Sequence, residues 1–398
     1  MIDLIVAGGG VAGMFAAITA ARQGKEVVIL EKNDTLGKKI LITGNGRCNF
    51  TNESMNSGYY ESNSLDIKDS FVSTVINKFG KDDLLRELDD LGMSYYVREG
   101  YYYPRTDEAV TFRDTLVNEI DRLPSVRVVY NYNLRSIEKT DGGYILSNKT
   151  DTYEAKNVLI ATGGKSAPKT GSSGDSYYYL EKLGHNILKP YPALTNLKAD
   201  YPDTLQGVNA LASISLIIDG ETVGTERGFI KFYKGMLSGI PIYQHSIKAV
   251  PAVETGKKVT ISVDFIRDTN AKCAINRIGL GISQALSQSI NPKIVDSYLN
   301  RLHISTNKTT EEFDDYTKDK ILRLFSAVNY EIIGFGEFEN AQSTFGGVDI
   351  SEIDPETMES KKCPGLYLAG EVVDITGKCG GYNIQWATST GVIVGRSV

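Results

Sequence analysis

Three glycines near the start of the chain have a spacing that does chemistry: Gly8-x-Gly10-x-x-Gly13. The first permits a tight turn. The second lets the backbone approach a pyrophosphate, and the third lets a helix pack closely on a strand. A helix opening at this turn aims its free N–H groups at the anion. Glu31 ends the next apolar run, where a carboxylate accepts hydrogen bonds from ribose hydroxyls and disfavours a 2′-phosphate. The pattern points to a bound dinucleotide. By itself it does not separate a flavin from a nicotinamide dinucleotide.

The elements that must position these residues are legible around them. Residues 3–7 read as a buried strand, 11–23 as an alanine-rich helix and 26–30 as a second strand, together a βαβ unit. Residues 4–21 carry no charge and mimic a membrane span in length, but the glycines favour strand, turn and helix. Residues 33–63 read as a polar loop and 66–91 as helical. Strands are expected at 93–103 and, as a meander turning at 141–143, over 126–147. Another buried strand covers 157–162. Past residue 190 the prolines and short alternating runs of 208–263 predict an antiparallel sheet or small barrel, and 271–326 reads as helical. A buried strand at 365–370 and a helix from about 383 close the chain.

Composition narrows the classes. With 398 residues, 41% hydrophobic and 23% charged, the chain reads as a soluble globular protein of more than one domain. A net charge of −6 argues against a nucleic-acid partner. Of the 39 glycines, eight lie in residues 1–46, four in 163–174 and nine in 346–398. Clustering at three distant places predicts backbone that converges on one cofactor. Cys48, Cys273, Cys363 and Cys379 show no CxxC spacing, so no dithiol shuttle is expected; Cys48 and Cys379 read as small packed residues. With no secretory leader, these cysteines indicate the cytoplasm. His185, His245 and His303 lie far apart, and no metal site is expected; His185 reads as a cap or core residue. No Ser/His/Asp or paired-carboxylate arrangement stands out, so no catalytic acid is assigned. Neighbouring tyrosines, as in Tyr101-Tyr102-Tyr103, point to opposite faces of a strand and read mainly as packing.

Four long stretches carry a family resemblance: GKKILITGNGRCNFTN (37–52), NVLIATGGKSAPKTGSSGD (157–175), AQSTFGGVDISEI (341–353) and TMESKKCPGLYLAGEVVDITGKCGGYNIQWATSTG (357–391). By these the chain resembles the BaiN-like family, also called the aminoacetone oxidase family, within the two-dinucleotide-binding-domain flavoproteins. The resemblance implies an α/β fold: a Rossmann-like FAD-binding domain with an inserted small β-barrel and helical domain. The FAD domain would be discontinuous, 1–190 and 343–398. The insertion, 191–342, would hold a barrel over about 191–264 and 327–342 and a helical part over about 265–326, and would cover the exposed face of the flavin.

The resemblance also implies contacts. Gly8, Gly10, Val11, Ala12 and Gly13 would hold the FAD pyrophosphate, with Glu31 and Lys32 at the ribose. Lys38, Asn45, Gly46, Arg47, Cys48 and Asn49 would lie along the cofactor. Leu134, in the strand begun near Val126, would meet the adenine, and Ala161, Thr162 and Gly163 would close the adenosine side. Gly370 and Glu371 would meet the pyrophosphate and ribityl chain, and Gly381, Tyr382, Asn383 and Ile384 the ring system. The family's Thr-His-Tyr-Gly segment is replaced here by Phe232-Tyr233-Lys234-Gly235, so no role for that histidine transfers. The implied function is an FAD-dependent oxidoreductase moving hydride through flavin N5. The first expectation is reduction of an activated C=C bond in a small molecule, with NADH or NADPH as donor. The alternatives are an amine oxidase of aminoacetone-like substrates and a non-catalytic or tRNA-associated flavin protein. No membrane partner is expected, and the oligomeric state is open.

Overall fold

The apolar runs Ile2–Ala7 and Val27–Leu30 pair as parallel strands, and both are almost wholly buried. Strands covered on both faces have no polar side to show, hence their unbroken hydrophobicity. The computed structural model describes residues 1–398 and divides into two units, Met1–Pro192 with Ala341–Val398, and Ala193–Asn340.

In the first unit the parallel order is Val126–Val129, Val27–Leu30, Ile2–Ala7, Thr152–Ile160. Leu366–Leu368 pairs with the C-terminal end of Thr152–Ile160, while Gly143–Ser147 pairs antiparallel with its beginning. Two helices, Val11–Arg22 and Tyr382–Ser397, cross in direct backbone contact. A Cβ on Gly391 would stand 2.3 Å from the Ala12 carbonyl oxygen, and one on Gly395 would stand 2.6 Å from that of Ala16. No helix is long and apolar enough to cross a membrane.

The second unit is built on a closed barrel. Its order is Leu197–Ala199, Met236–Ser238, Glu221–Tyr233, Asn209–Ile218, Val259–Asp264 and Val328–Phe335, the last pairing with the first. Four helices, Ala271–Ala274, Ile282–Ser287, Pro292–Arg301 and Asp315–Ser326, follow Val259–Asp264 in the chain.

Several sequence expectations need correction. Residues 66–91 form two helices, Leu65–Lys78 and Lys81–Asp90, broken at Phe79-Gly80 where the chain turns extended. The expected loop 33–63 contains a 3-10 turn, Ile40–Gly46, and two short strands. Val126–Val129 belongs to the parallel sheet rather than to the meander, which is the hairpin Ser136–Thr140 and Gly143–Ser147. Leu134 therefore lies in the loop between them. The alternating stretch 208–263 includes a fifteen-residue helix, Ile240–Glu254, opened by Gly239 (φ +111) with Pro241 in its first turn. Its buried face, including Ile242, His245, Ile247 and Val250, mimics short-range alternation when read without the contacts.

The glycine clusters also divide by role. Gly346, Gly347, Gly391 and Gly395 lie in the C-terminal cluster, yet a Cβ on each would strike polypeptide backbone within 2.6 Å. They serve chain-to-chain contact, which a count of glycines cannot separate from contact with a ligand.

Two buried polar clusters tie the C-terminal segment to the rest of its unit. His185 accepts or donates between Glu352 (2.9 Å) and Ser360 (2.9 Å), and its burial lowers its pKa, so it is a core residue. Asp374 is fully buried and accepts from Ser62 Oγ (2.8 Å) and the Asn63 backbone N–H (2.8 Å). Burial raises its pKa to about 6, despite those hydrogen bonds. A carboxyl whose folded value lies above its unfolded value stabilises the fold when protonated. That contribution is full below about pH 4 and lost as pH rises through about 6. The change is on the order of 3 kcal/mol. Denaturant titrations at pH 4 and pH 7 should show it in the wild type and not in Asp374→Asn; an identical pH response in both proteins would refute the assignment.

Candidate cofactor-binding site

The first unit contains a cleft of about 1420 Å³, counting the space where it opens to solvent. Its floor is the turn after Ile2–Ala7. Gly8 (φ +105) sits where a Cβ would be 2.6 Å from the Ala161 carbonyl oxygen, so only glycine lets the two parallel strands end so close together. Gly13 is held by the same logic, with a Cβ position 2.0 Å from the Gly8 carbonyl oxygen. Gly10 differs. It has φ −80 and ψ −170, open to any residue, and no atom of the protein lies within 4 Å of its Cβ position. Its Cβ would project into the cleft, so the polypeptide gives no reason for a glycine there, whereas a ligand against the backbone does.

Gly10 also caps the Val11–Arg22 helix without a side chain, leaving the first N–H groups of that helix free at the cleft. Glu31 borders the same end. Its Oε2 accepts the Gly9 N–H at 2.7 Å, and its Oε1 accepts both the Asn33 backbone N–H and Asn33 Nδ2 at 2.7 Å. The carboxylate is thus pinned before any ligand arrives, with a lone pair left on Oε2. Glu31→Ala would strand three donors. It should lower the stability of the FAD-free protein by about 2–3 kcal/mol as well as weaken FAD binding. A urea midpoint equal to wild type would contradict this.

Of the residues singled out from the sequence, Gly8, Gly10, Val11, Ala12, Glu31, Lys32, Lys38, Leu134, Ala161, Thr162, Gly163, Gly370, Glu371, Asn383 and Ile384 line this one cleft. They come from both ends of the chain and from two loops between. The far end is formed by the Tyr382–Ser397 helix, which starts at Gly381 (φ +92) without a side-chain cap. Asn383 Oδ1 accepts the Gly377 N–H and its Nδ2 donates to the Gly377 carbonyl oxygen, both at 2.8 Å, which fixes the loop before the helix. A second helix N-terminus with free N–H groups therefore meets the cleft, suited to an electron-rich group.

The other singled-out residues do not line it. Gly13 is packed under Gly8. Asn45 and Gly46 sit in a left-handed turn (φ +56 and +83), with Asn45 exposed. The Asn49 side chain faces Gly44 across that turn. Cys48 is fully buried, and burial pushes its thiol up to about 12, so it stays protonated and packed. Arg47 turns to the Tyr103 ring, 5.8 Å from its centroid. Gly381 is pressed against the Thr51 backbone, and the Tyr382 ring stacks on Tyr59 at 4.6 Å.

Sequence reasoning passed over Lys39. Its Nζ pairs with Glu371 Oε2 at 2.6 Å and donates to Ser166 Oγ at 2.6 Å, while Ser166 Oγ donates to Glu371 Oε1 at 2.6 Å. This triad sits in the cleft wall through Lys39 and Glu371. Both Lys38 and Lys39 line the cleft, and nothing in the pair Lys38-Lys39 says that Lys39 is the one tied to Glu371 and Ser166. Ser172, Ser173 and Ser176 were also missed, although the first two fall in the block 157–175 and the third follows it directly.

The pieces fit FAD. Two helix N-termini, a backbone cradle open at Gly10 and a pinned carboxylate line one cleft, the groups that a dinucleotide with a central pyrophosphate requires.

Comparison with known proteins agrees. The model of the HI0933-like protein Rossmann domain matches residues 2–397. A 3-dehydro-bile acid delta(4,6)-reductase from Clostridium scindens is 31% identical, over 98% of this chain and 98% of that protein. A ribosomal RNA dihydrouridine synthase from Escherichia coli is 28% identical, over 98% of this chain and 96% of its own. Among solved structures, a 3-ketosteroid delta1-dehydrogenase from Sterolibacterium denitrificans shares the fold with a TM-score of 0.53 at 13% identity, covering 99% of this chain and 98% of that one. With the whole chain matched and the cleft assembled from its motifs, this protein belongs to the HI0933-like Rossmann-domain family and is an FAD-dependent oxidoreductase.

Proposed function

We propose that the enzyme reduces a C=C bond conjugated to a carbonyl in a small molecule, with NADH or NADPH as electron donor. The observation that carries this reading is the 31% identity to a bile-acid enone reductase across 98% of both chains. The second relative fits the same chemistry, because dihydrouridine is uridine with its carbonyl-conjugated C=C bond reduced. When bound in the cleft, FAD supplies hydride transfer through its N5.

The chain's own residues supply the rest. Glu31 and the glycine turn anchor the adenosine and pyrophosphate portions. The free N–H groups at Asn383 and Ile384 stabilise negative charge at the other end. Ile40, Ile375 and Ile384 add apolar surface to the lining of the same cleft.

The test is anaerobic. FAD-loaded enzyme is mixed with NADPH or NADH and the flavin absorbance followed, then a 4-en-3-one steroid is added. Bleaching followed by recovery supports the reading. Bleaching by aminoacetone alone, with peroxide formed in air, would replace it with an amine oxidase. Recovery with a uridine-containing RNA but not the steroid would leave the reaction class and replace the small-molecule substrate.

A further inference from the structure

The short sheet next to the cleft carries a second chemistry. Its strands are Thr51–Asn52, Tyr101–Pro104 and Tyr95–Arg98. The register opposes Tyr96 to Tyr103 and Arg98 to Tyr101. Alternation puts these four side chains on one face and Tyr95, Val97 and Tyr102 on the other. The second set feeds the core: Tyr95 and Tyr102 pack on Phe50. On the first set's face Arg98 is exposed, Tyr96 and Tyr101 are half-buried, and Tyr103 is buried beneath its neighbours.

On that face Tyr96 stacks on Tyr103 with ring centroids 5.5 Å apart. Two guanidinium groups lie over the same Tyr103 ring, Arg98 at 5.2 Å and Arg47 at 5.8 Å. Neither arginine has a carboxylate within ion-pair distance. Asp107, the acid nearest this face, is engaged by Tyr96 Oη at 2.5 Å. Two like charges are gathered on one ring, with no ion pair to either and only the through-space field of Asp107 favouring the charged form of Arg98. Each guanidinium spends part of its donor capacity inside the protein, Arg98 on the Tyr103 side chain and Arg47 Nε on the Gly44 carbonyl oxygen at 3.4 Å; with five N–H donors per guanidinium, donors remain for an anion.

The face is tied to the cleft through the chain. Arg47 closes the Ile40–Gly46 turn, whose Ile40 and Thr43 line it. Tyr101 presses on Gly380, where a Cβ would be 2.5 Å from the ring, and Asn52 Nδ2 donates to the Gly380 carbonyl oxygen at 3.0 Å. Gly380 and Gly381 lead directly into the helix whose Asn383 and Ile384 form the cleft's far end. The chain also shows a single GxGxxG turn, already committed to the first dinucleotide.

We propose that Arg47 and Arg98, mounted on Tyr103, form the docking site for the phosphates of the nicotinamide dinucleotide donor. This rests on the reading of the enzyme as a nicotinamide-dependent reductase. The donor's dihydronicotinamide gives up a hydride and leaves as the oxidised pyridinium, and the two electrons and the proton pass to FAD. Tyr96 and Tyr101 offer flat surface on which an adenine or nicotinamide ring stacks.

The test is anaerobic stopped-flow reduction of the FAD-loaded enzyme by NADPH and by NADH, in wild type, Arg98→Met, Arg98→Lys and Arg47→Met/Arg98→Met. The expected result for Arg98→Met is a rise of about tenfold in the half-saturating donor concentration, with the limiting rate of bleaching kept and FAD content unchanged. Arg98→Lys should recover part of the loss, and the double variant should lose more. Added salt should weaken the wild type more than the double variant. Half-saturation unchanged in the double variant overturns the proposal. So does weakened binding of single-stranded oligouridylate with donor saturation intact, which would assign the face to RNA. If neither donor bleaches the wild type, the reductase reading fails on its own. Calorimetric binding of NADP+ then decides the docking site: loss in the double variant upholds it, and equal binding ends it.

Discussion

Gly10→Glu should yield a folded, colourless protein. The backbone at position 10 is extended, so a side chain meets no strain, and its Cβ position has no protein atom within 4 Å. Stability of the FAD-free form should therefore stay within about 0.5 kcal/mol of wild type. FAD binding should be lost, because the new side chain fills the cradle and adds a carboxylate where the pyrophosphate must lie. Ligand that binds only the folded state raises Tm, so wild type should gain thermal stability with added FAD and the variant should gain none. Stoichiometric FAD in purified Gly10→Glu would show that the cradle holds something else or nothing.

Gly391→Val should do the opposite and damage the fold itself. Position 391 lies where the Tyr382–Ser397 helix touches the Ala12 backbone; a Cβ there would be 2.3 Å from the Ala12 oxygen and 3.0 Å from its Cα. Backbone cannot step aside as a flexible side chain can, so the helices must separate. Overpacking of this kind costs about 1–3 kcal/mol, and a β-branched residue lies at the upper end. The N-termini of both helices meet the cleft, so FAD affinity should fall together with stability. Urea unfolding and FAD titration on the same preparation check both effects. Wild-type stability in Gly391→Val would mean that the helices do not meet at backbone contact. The two glycine variants thus separate the roles that composition merges, one glycine kept for the ligand and one for the fold.

The opening βαβ unit was legible because each of its signals is local. Apolar runs bounded by a glycine turn specify strand and helix within a few residues. Glu31 follows from its place at a strand end. The far end of the cleft was legible only through long family-like stretches, since Gly370 and Asn383 carry no spacing rule of their own. The Ile240–Glu254 helix was misread because its apolar residues also suit short strands, and only packing within its unit distinguishes the two periods. Lys39 was missed and Tyr382 misassigned for a related reason. Which way a side chain points from a loop or a helix start depends on turns such as Gly44-Asn45-Gly46, whose left-handed backbone reverses the chain.

The sequence by itself determined the strand, glycine turn and helix that suit a dinucleotide, and marked distant glycine-rich segments as its companions. Those facts reside in residue type and order. The tertiary structure decided which glycines stand open to the cleft and which face backbone, that Lys39 is tied to Glu371 and Ser166, and that two arginines share one tyrosine ring. Such distinctions depend on distances between segments tens to hundreds of residues apart, and a linear pattern carries no distances across the fold.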